Sequence, residues 1–219
     1  MAALITDGKS DPIFIQMMKL LVTTKSTEIR KRIIKSIPIP YSNEALAFLG
    51  KRLRDVNKDV VVLVFKQLTS NDVTLADFPT AEARMLLLTE GLTAKDEEAR
   101  NACIEFLTPS VLKHSNDLAA LFKMIDAKLA FVNQYYNRMP CLLTLAILKI
   151  LPDEMTLVNY LDTVVMAKLK NMAARAARAA EAHPDGDQEM QEGDEVQLND
   201  LEDITFEELL ILRLTYEIN

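Results

Sequence analysis

Leu53-Arg-Asp-Val-Asn-Lys-Asp-Val-Val-Val-Leu-Val-Phe-Lys-Gln-Leu68 returns in altered form 39 positions later, as Leu92-Thr-Ala-Lys-Asp-Glu-Glu-Ala-Arg-Asn-Ala-Cys-Ile-Glu-Phe-Leu107. Leu53 answers to Leu92, Val60 to Ala99, Val64 to Cys103, Phe65 to Ile104 and Leu68 to Leu107, and both stretches continue with Thr. A fainter copy lies 31 positions upstream, where Val22, Ile29, Ile33, Ile34 and Ile37 fill the same slots. A period of roughly 30 to 47 residues marks stacked helical hairpins, which bury their apolar faces only against their neighbours. The expected fold is therefore all-α, an α-solenoid of stacked antiparallel hairpins.

Working outward, helical periodicity dominates and the breakers fall between periodic segments. The first hairpin is expected over 11–23 and 26–37, stopped by Pro38 and Pro40, which cannot continue a helix. The second takes 42–54 and 57–69, with Ser42 as N-cap. The third takes 80–91, capped by Thr80 and closed by Gly91, then 96–107 before Pro109. A less regular fourth takes 116–131 and 139–151, and a long helix runs from 153 to 182. Residues 1–182 thus form the solenoid. Residues 183–203 crowd Glu189, Glu192, Asp194, Glu195, Asp200, Glu202 and Asp203 around Pro184, Gly186 and Gly193, with little to bury, and read as a disordered acidic loop. Residues 204–219 begin a further solenoid helix, with Thr205, Glu207 and Glu208 suited to a helix N-terminus. Neither end shows an obvious polar capping repeat, so the chain is expected to be a piece of something larger.

The chain has 219 residues, 49% of them hydrophobic, enough for an extended core. Its longest apolar run, Val60 to Phe65, is far too short to cross a bilayer, and no signal-peptide pattern opens it, so a cytosolic or nuclear setting is expected. Two cysteines and two histidines, well separated, give neither a disulfide framework nor a zinc site. Cys103 falls in a slot filled elsewhere by Ile33 and Val64 and reads as a small core hydrophobe. The net charge of -7 conceals an asymmetry: residues 1–150 carry 20 Lys and Arg against 16 Asp and Glu, residues 151–219 only 5 against 16. A mildly basic body with an acidic tail suits a polyanion-binding scaffold, and equally a protein with a solvated acidic loop.

On a helical wheel Ile29, Ile33, Ile34 and Ile37 share one apolar arc that also contains Arg30. The equivalent slots hold Val61 and Arg100, so Arg30 and Arg100 are expected to lay their stems along the hairpin and pair with an acid or a loop carbonyl. Lys31, Arg32 and Lys35 point away from the core. With Lys51, Arg52, Arg54 and Lys58 they make a basic stretch relieved chiefly by Glu44, Asp55 and Asp59. A solvated face is the plain reading of any one lysine; seven cations on two adjacent repeats, lined up by parallel helices, make a groove that could follow a phosphate backbone without reading bases. The groove should fade by the third hairpin, where the slot of Lys35 and Lys66 holds Glu105. No phosphate-cradling glycine loop, G-x-S-x-G, H-E-x-x-H or C-x-x-C motif occurs, so no enzyme, cofactor or small-molecule substrate is expected.

Arg52-Leu-Arg-Asp-Val-Asn-Lys-Asp-Val60, followed by Leu63, Phe65 and Leu68, resembles the HEAT-repeat non-SMC subunit of condensin, the CAP-G family. Ala83-Arg-Met-Leu-Leu-Leu-Thr-Glu-Gly-Leu92 is similar to that family's arginine-led segment ending in Gly-Leu, and Leu118-Ala-Ala-Leu-Phe-Lys-Met-Ile-Asp126 to its Leu-rich helix ending in Asp. Ile204-Thr-Phe-Glu-Glu208 is similar to the Leu-Thr-Pro-Glu start of a later helix, with Phe206 where proline is usual. The likeness covers 15–131 and, more faintly, 204–218; 132–203 adds a comparable place for a variable loop. It implies a HEAT-repeat solenoid in the nucleus and on chromosomes, with a cytoplasmic pool. It implies a non-enzymatic condensin scaffold for mitotic chromosome condensation that binds double-stranded DNA without sequence preference. The implied partners are a kleisin subunit that closes over the DNA, an SMC ATPase pair and a second HEAT subunit. On that likeness Arg52 and Arg54, flanking the repeat turn, carry over as DNA contacts, with Lys58 beside them; Lys31, Arg32 and Lys35 rest on the helical wheel, and Lys51 on its place in the basic stretch. Val61 stands where the family usually has Arg. The alternative is a HEAT-repeat protein scaffold of transport or phosphatase type that binds no nucleic acid.

Overall fold

The computed structural model describes residues 12–37, 40–115 and 117–151, with residues 166–168, 170, 171, 173, 174, 205–208, 210, 211 and 213. The expected acidic loop 183–203, the breakers Pro38 and Pro152, and most of the helices expected over 153–182 and 204–219 lie outside the described residues. Among the described residues the fold is all-α, with no strand. The helices are α1 (Pro12–Thr23), α2 (Thr27–Ser36), α3 (Asn43–Arg52), α4 (Lys58–Ser70), α5 (Ala81–Leu92), α6 (Glu97–Lys113), α7 (Leu118–Met124), α8 (Ala127–Val132) and α9 (Met139–Ile150).

The helix starts repeat the sequence register. Ser26, Asn57 and Asp96 occupy one slot, 31 and then 39 residues apart, and each side chain accepts a backbone N–H of its own helix, from Ile29, Asp59 and Ala99. Ser42, Thr80 and Asp117 do the same for α3, α5 and α7. Such caps satisfy donors that the helix geometry leaves orphaned, at about 1 kcal/mol each. Arg30 and Arg100 also repeat one device. Arg30 Nη1 donates to the carbonyls of Thr24 (3.1 Å) and Lys25 (3.0 Å), and Arg100 Nη1 to those of Ala94 (2.6 Å) and Lys95 (3.1 Å). Each arginine thereby ties its helix to the turn before it, as the apolar arc containing it implied.

Helices α1 and α2, α3 and α4, and α5 and α6 pack as pairs; α2 packs on α4 and α4 on α6, while α3 packs on α5. The densest contact is α4 on α6, where Phe65 and Phe106 lie 6.0 Å apart and Phe78 meets Phe106 edge-on at 6.4 Å. Each fully buried Phe or Leu contributes about 1.5–3 kcal/mol relative to exposure. Cys103 is wholly buried among them, and burial pushes its thiol pKa above the ordinary range.

Three local expectations are corrected. Gly91 does not close α5: it sits inside the helix, buried, and the C-cap is Thr93. A Cβ at Gly91 would lie 2.6 Å from Phe65 Cζ and 2.8 Å from Cys103 Cβ, so the glycine serves close approach between hairpins. Helix α6 does not stop before Pro109 but continues to Lys113. Pro109 and Glu105, whose carbonyl loses its usual donor, are both exposed, so the lost bond falls on the solvent side of the helix, while Ser110 and Val111 beyond it are buried. The first helix of the fourth unit is split at Ile125–Asp126, where Asp126 adopts φ 49° and caps α8 through Leu129 N. Helix α9 then packs on both α5 and α6. Farther on, Thr205 opens a helix with a capping box: its Oγ1 accepts from Glu208 N, and Glu208 accepts from Thr205 N. Burial alone would raise the Glu208 pKa, but the hydrogen bonds from Lys168 and Thr205 outweigh it and hold the carboxyl below its usual value.

Candidate nucleic-acid interface

The seven cations singled out by sequence lie on α2, on α3 and in the turn that starts α4. Beneath them is a buried pin. Asp55, in the turn between α3 and α4, accepts from Arg30 Nη2 at 2.9 Å, with Arg30 Nε also 2.9 Å away. The Arg30 and Asp55 side chains are only 7% and 3% exposed. Arg52 lies against the same carboxylate at 3.7 Å and donates to the Leu21 carbonyl at 3.3 Å. The Arg52 head therefore points into the contact between the first two hairpins, and its side chain is 18% exposed.

On the surface a series of ion pairs runs from each hairpin to the next. Lys31 on α2 donates to Asp59 at 2.8 Å; Lys58 donates to Asp96 at 2.9 Å and Lys66 to Glu98 at 3.2 Å. Arg54 donates from Nε to Glu90 at 2.7 Å and from Nη2 to the Tyr135 hydroxyl at 2.7 Å, and its guanidinium stacks over the Tyr135 ring at 5.4 Å. The Tyr135 hydroxyl in turn donates to Glu90. In every one of these pairs the cation belongs to the earlier hairpin and the acid to the later one. The hydrogen bond from Lys31 holds the Asp59 carboxyl below its usual pKa, and the same bond raises that of Lys31. Lys58 and Asp96 shift each other in the same senses, while Glu90 raises the pKa of Arg54 and, by accepting its hydroxyl proton, of Tyr135.

Lys31 and Lys35 line one trough along α2 and α4 with Lys66, Asp59 and Glu98, a hollow of about 290 Å³. Arg54 and Lys58 line another, at the turn edge, with Glu90, Lys95 and Asp96. Lys51 faces away from both; its ammonium sits 5.1 Å from the Phe48 ring centre, on the wall of a cleft between α1 and α3. The structure thus brings together Lys31 with Lys35, and separately Arg54 with Lys58, and does not place Lys51 beside either pair. Arg32, Lys35 and Lys51 are exposed, and no carboxylate among the described residues pairs with them.

Sequence reasoning missed the acids Glu90, Asp96 and Glu98, which come from the third hairpin, and the Tyr135 hydroxyl from the loop before α9. The register held part of the signal: Glu28, Asp59 and Glu98 share one slot, and the last two each receive a lysine from the preceding hairpin. Arg84 was likewise unexpected as a clamp. It donates to the carbonyls of Leu75 (3.0 Å), Phe78 (2.9 Å) and Met124 (2.8 Å), tying the linker before α5 and the end of α7 to α5.

Chemically, a phosphate that engages Lys31, Lys58 or Lys66 competes with a neighbouring carboxylate for a cation whose charge is already partly neutralised, whereas one that meets Arg32 or Lys35 meets no such competitor among the described residues. No protein-family model matches the chain, and neither a curated protein nor a solved structure matches it.

Proposed function

We propose that the chain is part of a HEAT-type α-solenoid acting as a non-enzymatic scaffold, which binds double-stranded DNA by its phosphate backbone as condensin's non-SMC HEAT subunits do. On this reading the partners are the kleisin, the SMC ATPase pair and the second HEAT subunit, and the setting is the nucleus and mitotic chromosomes. The solenoid reading draws support from side-chain caps in one register slot at three successive hairpins and from the same arginine clamp at the first and third. The observation that carries the DNA reading is the trough along α2 and α4, where Lys35, with no carboxylate partner among the described residues, shares one hollow with the engaged Lys31 and Lys66. A row of cations on parallel helices contacts phosphates irrespective of base sequence. Of the residues expected to touch DNA, Arg32 and Lys35 are the readiest contacts. Arg54, Lys58 and Lys31 are reserve cations whose charge Glu90, Asp96 and Asp59 already offset, and Arg52 chiefly supports the turn that presents them.

Fluorescence-polarisation titration of two unrelated duplexes against the chain tests the proposal. Equal affinities that fall steeply and log-linearly with salt are expected. Absence of duplex binding at low salt, or affinity indifferent to salt, refutes it and leaves the protein-scaffold alternative, for which the cleft between α1 and α3 is the specific observation.

A further inference from the structure

The α1–α3 junction departs from the rest of the repeat. Helix α3 packs directly on α5, but α1 and α3 enclose an open cleft of about 690 Å³. Its floor is apolar, formed by Phe14, Ile15, Met18 and Val22 of α1 with Phe48 of α3. By the repeat register Ile15 answers to Leu46 and Met85, Val22 to Leu53 and Leu92, and Phe48 to Leu87. All five counterparts are buried, whereas Ile15 is 42% and Val22 49% exposed. Core slots are thus filled with core residues and left uncovered. Lys19 and Lys51, both exposed, stand on the cleft walls, one on each helix, against a single half-buried acid of the lining, Glu44, and no carboxylate among the described residues forms an ion pair with either lysine.

We propose that this cleft is a docking site for an acidic amphipathic helix of a partner protein. An apolar stripe at i, i+4 and i+7 fills the space between α1 and α3 and covers Ile15, Val22 and Phe48, as helix-in-groove recognition requires. Carboxylates flanking that stripe meet Lys19 and Lys51 from the two sides. With two lysines against the one acid, Glu44, the lining is net positive, so a basic helix is disfavoured and an uncharged one leaves the excess cation without a partner. The site lies apart from Arg32 and Lys35, so its occupation and duplex binding are separable.

The test is a display selection of random peptides of about 16 residues, some four helical turns, on the intact chain, counter-selected on the Ile15→Asp/Val22→Asp variant. The expected survivors carry apolar residues at helical spacing and net negative charge. They bind the unaltered chain at least about tenfold more tightly than either that variant or the surface variant Lys19→Glu/Lys51→Glu. The second variant keeps the result decisive should the first unfold. Survivors that are basic or neutral, affinities indifferent to Lys19→Glu/Lys51→Glu, or no enrichment at all would overturn the proposal. So would self-association of the chain, seen by sedimentation and abolished by Ile15→Asp, since a second copy would then be the occupant.

Discussion

The junction between the first and second hairpins and the junction between the second and third are built from the same register, yet they are finished differently. Between the second and third, Arg54, Lys58 and Lys66 each meet an acid, α3 packs on α5 as well as α4 on α6, and Gly91 admits Phe65 and Cys103 to close contact. Between the first and second, the buried Arg30–Asp55 pair and the Lys31–Asp59 pair hold the helices. There, among the described residues, Arg32, Lys35 and Lys51 have no carboxylate partner and no side chain fills the cleft beside α1. Unmatched charge and unmatched apolar surface collect at the same junction. The second junction completes its own contacts; the first leaves charge and apolar surface without partners, and it is there that the proposed binding is placed.

The sharpest way to break the contrast is at the buried pin. Asp55→Ala strands Arg30 and Arg52 against one another in the first junction, and removal of one partner of a buried pair costs about 3–5 kcal/mol. Glu90→Ala in the second junction leaves a half-exposed Arg54 and should cost no more than about 1 kcal/mol. Urea denaturation midpoints compare the two directly. If Glu90→Ala proved the costlier, the assignment of the first junction's strength to its buried pair would be wrong.

Gly91→Ala probes the closed junction from the apolar side. The added methyl meets Phe65 and Cys103 well inside contact distance, and overpacking of this kind costs about 1–3 kcal/mol, partly offset by about 1 kcal/mol of helix propensity. A lowered melting temperature is expected. A raised one would show that α4 and α6 can move apart freely.

The smallest effect is that of pH. Asp59 and Asp96 have depressed pKa values in the folded chain. Their contribution is therefore complete above the ordinary carboxylate value of about 4 and is lost as pH falls through the lower folded values. Lys31 and Lys58, raised by the same bonds, keep theirs below the ordinary lysine value of about 10.4 and lose it as pH climbs through the raised ones. Thermal denaturation at low ionic strength should show an acid limb that added salt flattens. A limb indifferent to salt would mean that the exposed pairs contribute nothing.

Much of this was legible in the chain because it is local. Ser42 and Thr80 announced their caps, and the shared slot of Arg30, Val61 and Arg100 announced a clamp. What escaped lies across hairpins. A wheel drawn on α2 shows that Lys31, Arg32 and Lys35 face outward, but not that Asp59 of α4 stands opposite Lys31 and opposite neither of the others. Gly91 carries two meanings, helix end or close approach, and only the packing of Phe65 and Cys103 decides between them. Pro109 reads as a stop until the burial of Ser110 and Val111 shows why the helix continues, and Asp126 sits mid-pattern yet takes the left-handed turn that splits α7 from α8.

The measurement that bears most directly on the unmatched junction is the salt dependence of duplex affinity for two charge-neutralised variants, Arg32→Gln/Lys35→Gln and Arg54→Gln/Lys58→Gln. Every phosphate that a variant no longer neutralises should make the slope of log affinity against log salt shallower by about 0.9. The first variant should therefore have a slope shallower by close to twice that amount and bind about tenfold or more weakly at low salt. The second should change distinctly less, because Glu90 and Asp96 already occupy its cations. Equal changes, or a larger one for Arg54→Gln/Lys58→Gln, would contradict the claim that Arg32 and Lys35, the α2 cations without acid partners, do the binding.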